Sequence, residues 1–309
     1  MPDSTPPTGQ QWTLSHSGYV ATVVESGGGI RELTHDGIPV LAGYPVGSIP
    51  GGGRGQVLAP WPNRIRDGAW SFAGRDLQLP LSEPAKHNAS HGLVRWSSWR
   101  ESASTADEVH LGCRVMAQSG YPWTLDLALG YRLSEAGLQV TMEATNVSAE
   151  PAPFAAGMHP YLGLSAPLAT TSLLLPASTR LQTDERLIPV GEEPVSGTAY
   201  DFTAAREVGD LTIDDCFGDL SRDAHGRAVV RLGDVELWVD EAWSWLQVFT
   251  GDVLPAGTPD HPVAPGTGPR ESVAVEPMTA PPDAFNSGRD LVVLEPGASW
   301  SGTFGVRRL

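Results

Sequence analysis

From Val109 to Met116, from Thr124 to Leu133 and from Gly137 to Thr145, apolar and polar residues alternate along the chain. Successive side chains of a strand point to opposite faces, so this pattern predicts strands with one buried face. Shorter apolar runs predict further strands at Tyr19–Val24, Ile30–Leu33, Ala69–Phe72, Phe154–Leu164, Ser172–Leu175, Ala228–Leu232, Val235–Val239, Trp245–Phe249, Val273–Val275, Leu291–Leu294 and Thr303–Arg307. Turn signals separate them, among them Asp36-Gly37, Gly120-Tyr121-Pro122, Glu135-Ala136-Gly137 and Gly233-Asp234. Only Thr203–Val208 has helical character.

Composition supports this picture. The 309 residues include 35 Gly and 27 Pro, which suits many short strands joined by turns. No fixed-period repeat and no break in composition divides the chain. The fold class expected is all-β: one large antiparallel β-sandwich over residues 12–309, after a mobile tail at 1–11.

The net charge of -16 disfavours phosphate backbones and anionic membranes, so neither nucleic acid nor membrane is an expected partner. Cys113 and Cys216 are isolated and form no disulfide framework. The start, MPDSTPPTGQQ, lacks a basic region followed by an apolar core, and no apolar run reaches membrane-spanning length. A soluble, cytoplasmic protein is expected, either monomer or homodimer.

Several polar clusters flank strand-like runs. Glu276 ends the apolar run Val273–Val275, and Pro277, which has no N–H, is expected to stop pairing there. Asn63-Arg64-Ile65-Arg66 follows Pro60-Trp61-Pro62; Arg64 offers a planar donor fork, whereas Arg66 reads as solvated. His87 and His91 have helical metal-site spacing, but Asn88, Ser90 and Gly92 argue against a helix, so no metal is expected and His91 is the better functional candidate. His159 precedes Pro160, and Asp214-Asp215 lies between Ile213 and Phe217. Gly51–Gly55, GGGRG, lacks the ending of a phosphate loop and reads as a plain loop; LPAGTPDHPVAPGTGPR at 254–270 is a longer one. No Gly-x-Ser-x-Gly elbow occurs. What remains is a set of groups for acid–base work on a polyhydroxylated molecule.

Taken in order, Pro62-Asn63-Arg64-Ile65, His91-Gly92, His159-Pro160-Tyr161-Leu162, Asp214 in Ile213–Phe217, Glu276 with Pro282-Asp283-Ala284, and Leu294-Glu295-Pro296-Gly297 resemble the aldose 1-epimerases, or mutarotases. The resemblance spans about Gly18 to Val306. Leu93 and Pro160 depart from the galactose mutarotase pattern and resemble a separate bacterial branch. The resemblance implies a galactose mutarotase-like supersandwich and a hexose substrate such as glucose or galactose. It implies α/β anomer exchange by ring opening and reclosure, with neither metal nor cofactor. It also implies Glu276 as base, His159 as acid, His91 near the ring oxygen, and Arg64, Asp214, Asn63 and Trp61 as substrate-binding residues, Trp61 as an apolar platform. A non-catalytic carbohydrate-binding protein and another sugar-active enzyme on the same fold stay open as alternatives.

Overall fold

The computed structural model describes residues 5–252 and 268–309. Residues 254–267 of the long Pro/Gly loop, and the first four residues, lie outside them.

Alternation becomes architecture most plainly in Leu125–Ser134. Leu125, Leu127, Leu129, Tyr131 and Leu133 are buried, while the residues between them are more exposed. This strand pairs antiparallel with Gly137–Asn146, which pairs with Ser299–Arg308, which pairs with Val235–Val239. They form the middle of a nine-stranded sheet. A second sheet has twelve strands, and its middle runs Ile38–Leu41, Tyr161–Gly163, Ser272–Met278, Trp245–Phe249, Asp214–Leu220, Ala177–Thr183. One apolar cluster joins the two sheets, with Leu33, Val248 and Val275 from the larger and Leu127, Val140 and Phe304 from the smaller. The fold is the antiparallel β-sandwich expected.

Three local expectations change. Thr203–Val208, the one stretch with helical character, forms no helix. Arg206–Glu207 instead pairs with Ser172 and Leu173, because a single helical turn cannot outweigh the cost of nucleation when a sheet edge is free to receive it. The tail expected over 1–11 is tied down at its end. Gln11 opens the strand Gln11–His16, and Thr8 is buried with its carbonyl accepting from the Ser26 amide at 3.0 Å.

Pro277 does not end its strand. Ser272–Met278 runs through it, with Pro277 opposite Leu246. On the other edge of this strand the Val275 amide donates to the Pro160 carbonyl at 3.2 Å and the Thr279 amide to Ala156 at 2.9 Å. Backbone donors alternate in direction along an antiparallel strand. In the register set by Gly157 opposite Met278 and Tyr161 opposite Ala274, Pro277 falls opposite Met158, the last residue of the short strand Gly157–Met158, so its missing donor sits beside the break that follows at His159-Pro160. Glu276 accordingly sits within a central strand rather than at its end.

Candidate active site

The register of the larger sheet aligns the polar residues. Tyr161 lies opposite Ala274, so His159, two residues back, falls beside Glu276. Glu276 lies opposite Gln247 on the next strand, and Gln247 is diagonal to Asp214 on the strand beyond, where Asp214 faces Phe249. Opposed residues share a face. His159, Glu276, Gln247 and Asp214 thus form a polar row across adjacent strands. Nε2 of Gln247 donates to Oδ1 of Asp214 at 2.8 Å, and Nε2 of His159 lies 3.3 Å from Oε1 of Glu276.

A small two-stranded sheet forms another wall. Arg64–Arg66 pairs with Asn88–Ser90, and the His91 amide donates to the Asn63 carbonyl at 2.7 Å. Asn63 and His91 both have positive φ, 50° and 61°, and these two turns place Arg64 and His91 at the same opening. The His91 ring meets the His159 ring edge to face, with centroids 5.7 Å apart. The resulting cavity is about 560 Å³ and is lined by Asn63, Arg64, His91, His159, Asp214 and Glu276 together with Glu83, Arg95, Tyr161 and Gln247. A larger groove of about 710 Å³ lies along Pro281–Asp283, but its charged residues are already paired, Arg289 with Glu192 at 2.7 Å, Arg66 with Asp283 at 3.7 Å and Asp67 with Arg186 at 2.8 Å. Glu276, His159, His91 and Asp214 line the smaller cavity.

Six of the seven residues singled out in the sequence line this cavity. Trp61 does not: it is 3% exposed, sits in the core and packs edge-on against Phe285 at 5.7 Å. It offers no surface to a ligand, since the two flanking prolines turn the indole inward. Asp215, next to Asp214, points instead to Arg180, whose Nη1 donates to its Oδ1 at 2.6 Å. His87 lies apart from His91 and contacts Asp67 at 2.8 Å. Among the described residues, no group of three or more His, Cys, Asp and Glu side chains is placed to hold a metal ion.

Gly51–Gly55, a plain loop by its sequence, is part of the site. Gly52 and Gly53 line the cavity, and a Cβ on Gly53 would stand 2.8 Å from Cδ2 of His159. Glu83, Arg95 and Gln247 are further lining residues that the sequence does not single out. Gln247 carries a signal, a lone amide inside the apolar run Trp245–Phe249. Glu83 and Arg95 carry none, because loops bring them in.

Burial governs the electrostatics. It pushes the Glu276 carboxyl well above the usual carboxylate range, helped by Asp214 and opposed by Arg64 and Arg95. It drives the His159 imidazole down to about 3, with Arg95 and Arg54 adding to the effect. His91 is likewise held well below its ordinary value, by burial first and then by Arg95 and His159. Asp214 is raised, again by burial. Oε2 of Glu276 and the Nδ1 atoms of His91 and His159 are buried without hydrogen-bond partners among the described residues. Such atoms are costly unless something polar meets them.

A family model, aldose 1-epimerase, matches residues 10–307. The chain belongs to the aldose 1-epimerase family. Among its relatives in the family, the uncharacterized protein YihR of Escherichia coli K12 is 33% identical over 295 residues, covering 94% of this chain and 90% of YihR. The aldose epimerase homologue of C. elegans superposes with a TM-score of 0.82 at 17% identity, over 97% of this chain and 99% of that one. The galactose 1-epimerase of Lactobacillus acidophilus gives 0.80 at 21% identity, over 96% and 94%. These superpositions establish a galactose mutarotase-like fold for this aldose 1-epimerase family member. Among its described residues no helix is long and apolar enough to cross a membrane.

Proposed function

We propose that the protein interconverts the α and β anomers of a hexose. The observation that supports this most is the 3.3 Å approach of His159 Nε2 to Glu276 Oε1 in a buried, open-mouthed cavity. The two oxygens that exchange protons in the reaction, O1 and O5, are bonded to one carbon, so a base and an acid must stand side by side to serve both.

Glu276, as carboxylate, takes the proton from O1–H. The C1–O5 bond breaks, its electron pair goes to O5, and O1 becomes the aldehyde oxygen. His159, as imidazolium, gives its proton to O5. Rotation about C1–C2 and reversal of the steps close the other anomer. The pair holds one proton throughout: on His159 before opening, on Glu276 after it. Burial favours the uncharged arrangement, the one suited to reclosing an open-chain sugar, while hydrogen bonds from bound sugar favour the charged one. The two arrangements are thereby brought closer in energy, as a reaction run in both directions requires. In this reading His91 hydrogen-bonds near O5, and Arg64, Asn63 and Asp214 hold hydroxyls.

Polarimetry on freshly dissolved α-D-glucose and α-D-galactose tests the reading; the second sugar is chosen because the Lactobacillus acidophilus relative is a galactose 1-epimerase. Optical rotation should relax faster than in buffer alone for at least one of them. Relaxation at the buffer rate for these and other hexoses would refute it.

A further inference from the structure

Arg54 is 3% exposed, yet among the described residues no carboxylate pairs with it. Its Nη1 donates to the Ala42 carbonyl at 3.2 Å and to Oγ of Ser272 at 3.3 Å. Its guanidinium carbon lies 3.9 Å from the centre of the Tyr161 ring. That ring is stacked on the His159 imidazole, with centroids 5.0 Å apart and planes 6° from parallel. The Tyr161 hydroxyl is fixed in turn by the Gly52 carbonyl at 2.9 Å. A buried cation without a counter-charge is expensive and is retained where its field is used.

The anchoring fits such a use. Ser272 shares a strand with Glu276 and, four residues away, shares its face. The backbone around Arg54 also holds His159 directly: the Gly55 amide donates to the His159 carbonyl at 2.8 Å, and the His159 amide to Gln56 at 3.1 Å. One short segment therefore grips the strand of the base, the backbone of the acid and the ring stacked on it.

We propose that Arg54 is a positioning residue for the reaction: its buried guanidinium, seated on Tyr161, holds that ring against His159 and sets how readily the imidazole gives up its proton. The inference rests on the reading of His159 and Glu276 given above. The charged or titratable groups around His159 are Arg54 and Tyr161, Arg64, His91 and Arg95 from the opposite walls, and Glu276. Among them Arg54 is the cation shielded from solvent by the ring stack, so its field is weakly screened. A fixed positive charge disfavours imidazolium. Removing it strengthens the hold of the pair on its proton and on a second one.

The test compares Arg54→Gln, which keeps a donor but loses the charge, with Arg54→Lys, which keeps the charge. Both limbs of the pH profile of kcat/KM should move to higher pH in Arg54→Gln, by roughly half a unit or more, and return toward wild type in Arg54→Lys. A lower plateau with both limbs in place would make Arg54 merely structural and overturn the proposal. If Arg54→Gln does not fold, Arg54→Met combined with Ser272→Ala removes the buried group and its hydroxyl partner together and carries the same measurement. The 15N shifts of the His159 imidazole give an answer without turnover. The imidazolium signature should appear at higher pH in the uncharged variant, and identical shifts would overturn the inference. An inactive wild type would instead count against the function proposed.

Discussion

Arg64 and Glu83 meet as a two-pronged pair, Nε to Oε2 at 2.8 Å and Nη2 to Oε1 at 3.0 Å, so the fork of Arg64 is already half committed before any ligand arrives. Its Nη1 turns to Oδ1 of Asn63 at 3.3 Å. Glu83 thus aims the one edge of the guanidinium that remains for the proposed substrate. Arg64→Ala and Arg64→Lys should each lower kcat/KM about tenfold or more, since a lysine cannot hold Glu83 in this geometry. Glu83→Gln should raise KM several-fold with folding intact. Arg66→Ala, at the separate groove, should change kinetics little. Coupled anomer kinetics on the four variants, each checked by circular dichroism, decide the matter; a damaging Arg66→Ala would reverse these roles.

Glu276→Gln preserves shape and removes the proposed proton acceptor. We expect mutarotation to fall by about 10²–10⁴-fold, the range for a positioned acid or base. Activity within a few-fold of wild type would place the base elsewhere.

For His159→Asn the expected signature is a split: kcat falls far more than KM rises, because proton donation to O5 matters in the transition state. A change confined to KM would make His159 a binding residue.

The buried carboxyl also leaves a mark on stability. The folded pKa of Glu276 is raised above its unfolded value, so its contribution is favourable at low pH and is lost as pH rises through the folded pKa. Glu276→Gln removes that loss. Its melting temperature should exceed that of wild type at pH 7–8, with the difference shrinking toward pH 4. A difference independent of pH would contradict the burial argument.

Gly53 has φ +76°, and a Cβ added to it would lie only 2.8 Å from the His159 ring, which leaves no room for a methyl group. Gly53→Ala should displace the imidazole, lowering kcat on the order of tenfold or more and the melting temperature by several degrees. Wild-type kinetics in this variant would show that the ring tolerates movement.

The strands are legible because alternation is a local signal, and Leu125–Ser134 shows it in its plainest form. Arg64, His91, His159, Asp214 and Glu276 are legible as polar residues set against apolar runs and turns. Trp61 misleads because an aromatic between prolines looks the same whether the turn aims it outward or into the core. The central placement of Glu276 is hidden for a different reason. Whether Pro277 breaks a strand depends on what its missing donor would have faced, and the residue opposite, Met158, is more than a hundred residues away in the chain. Glu83 and Arg95 reach the cavity through long-range packing that no window of sequence contains.

The paired interruption at Pro160 and Pro277 has a mechanical consequence. An acid and a base carried on separate loops drift independently as temperature rises. Here Glu276 rises from a central strand and His159 from the short break in its neighbour, next to the two donors that Pro160 and Pro277 lack, and the hydrogen bonds from Val275 to Pro160 and from Thr279 to Ala156 on either side keep their spacing fixed. Warming should therefore not blunt the proposed activity by degrees. Turnover should climb in ordinary Arrhenius fashion and vanish together with the near-ultraviolet dichroism of the buried tryptophans, in a single event.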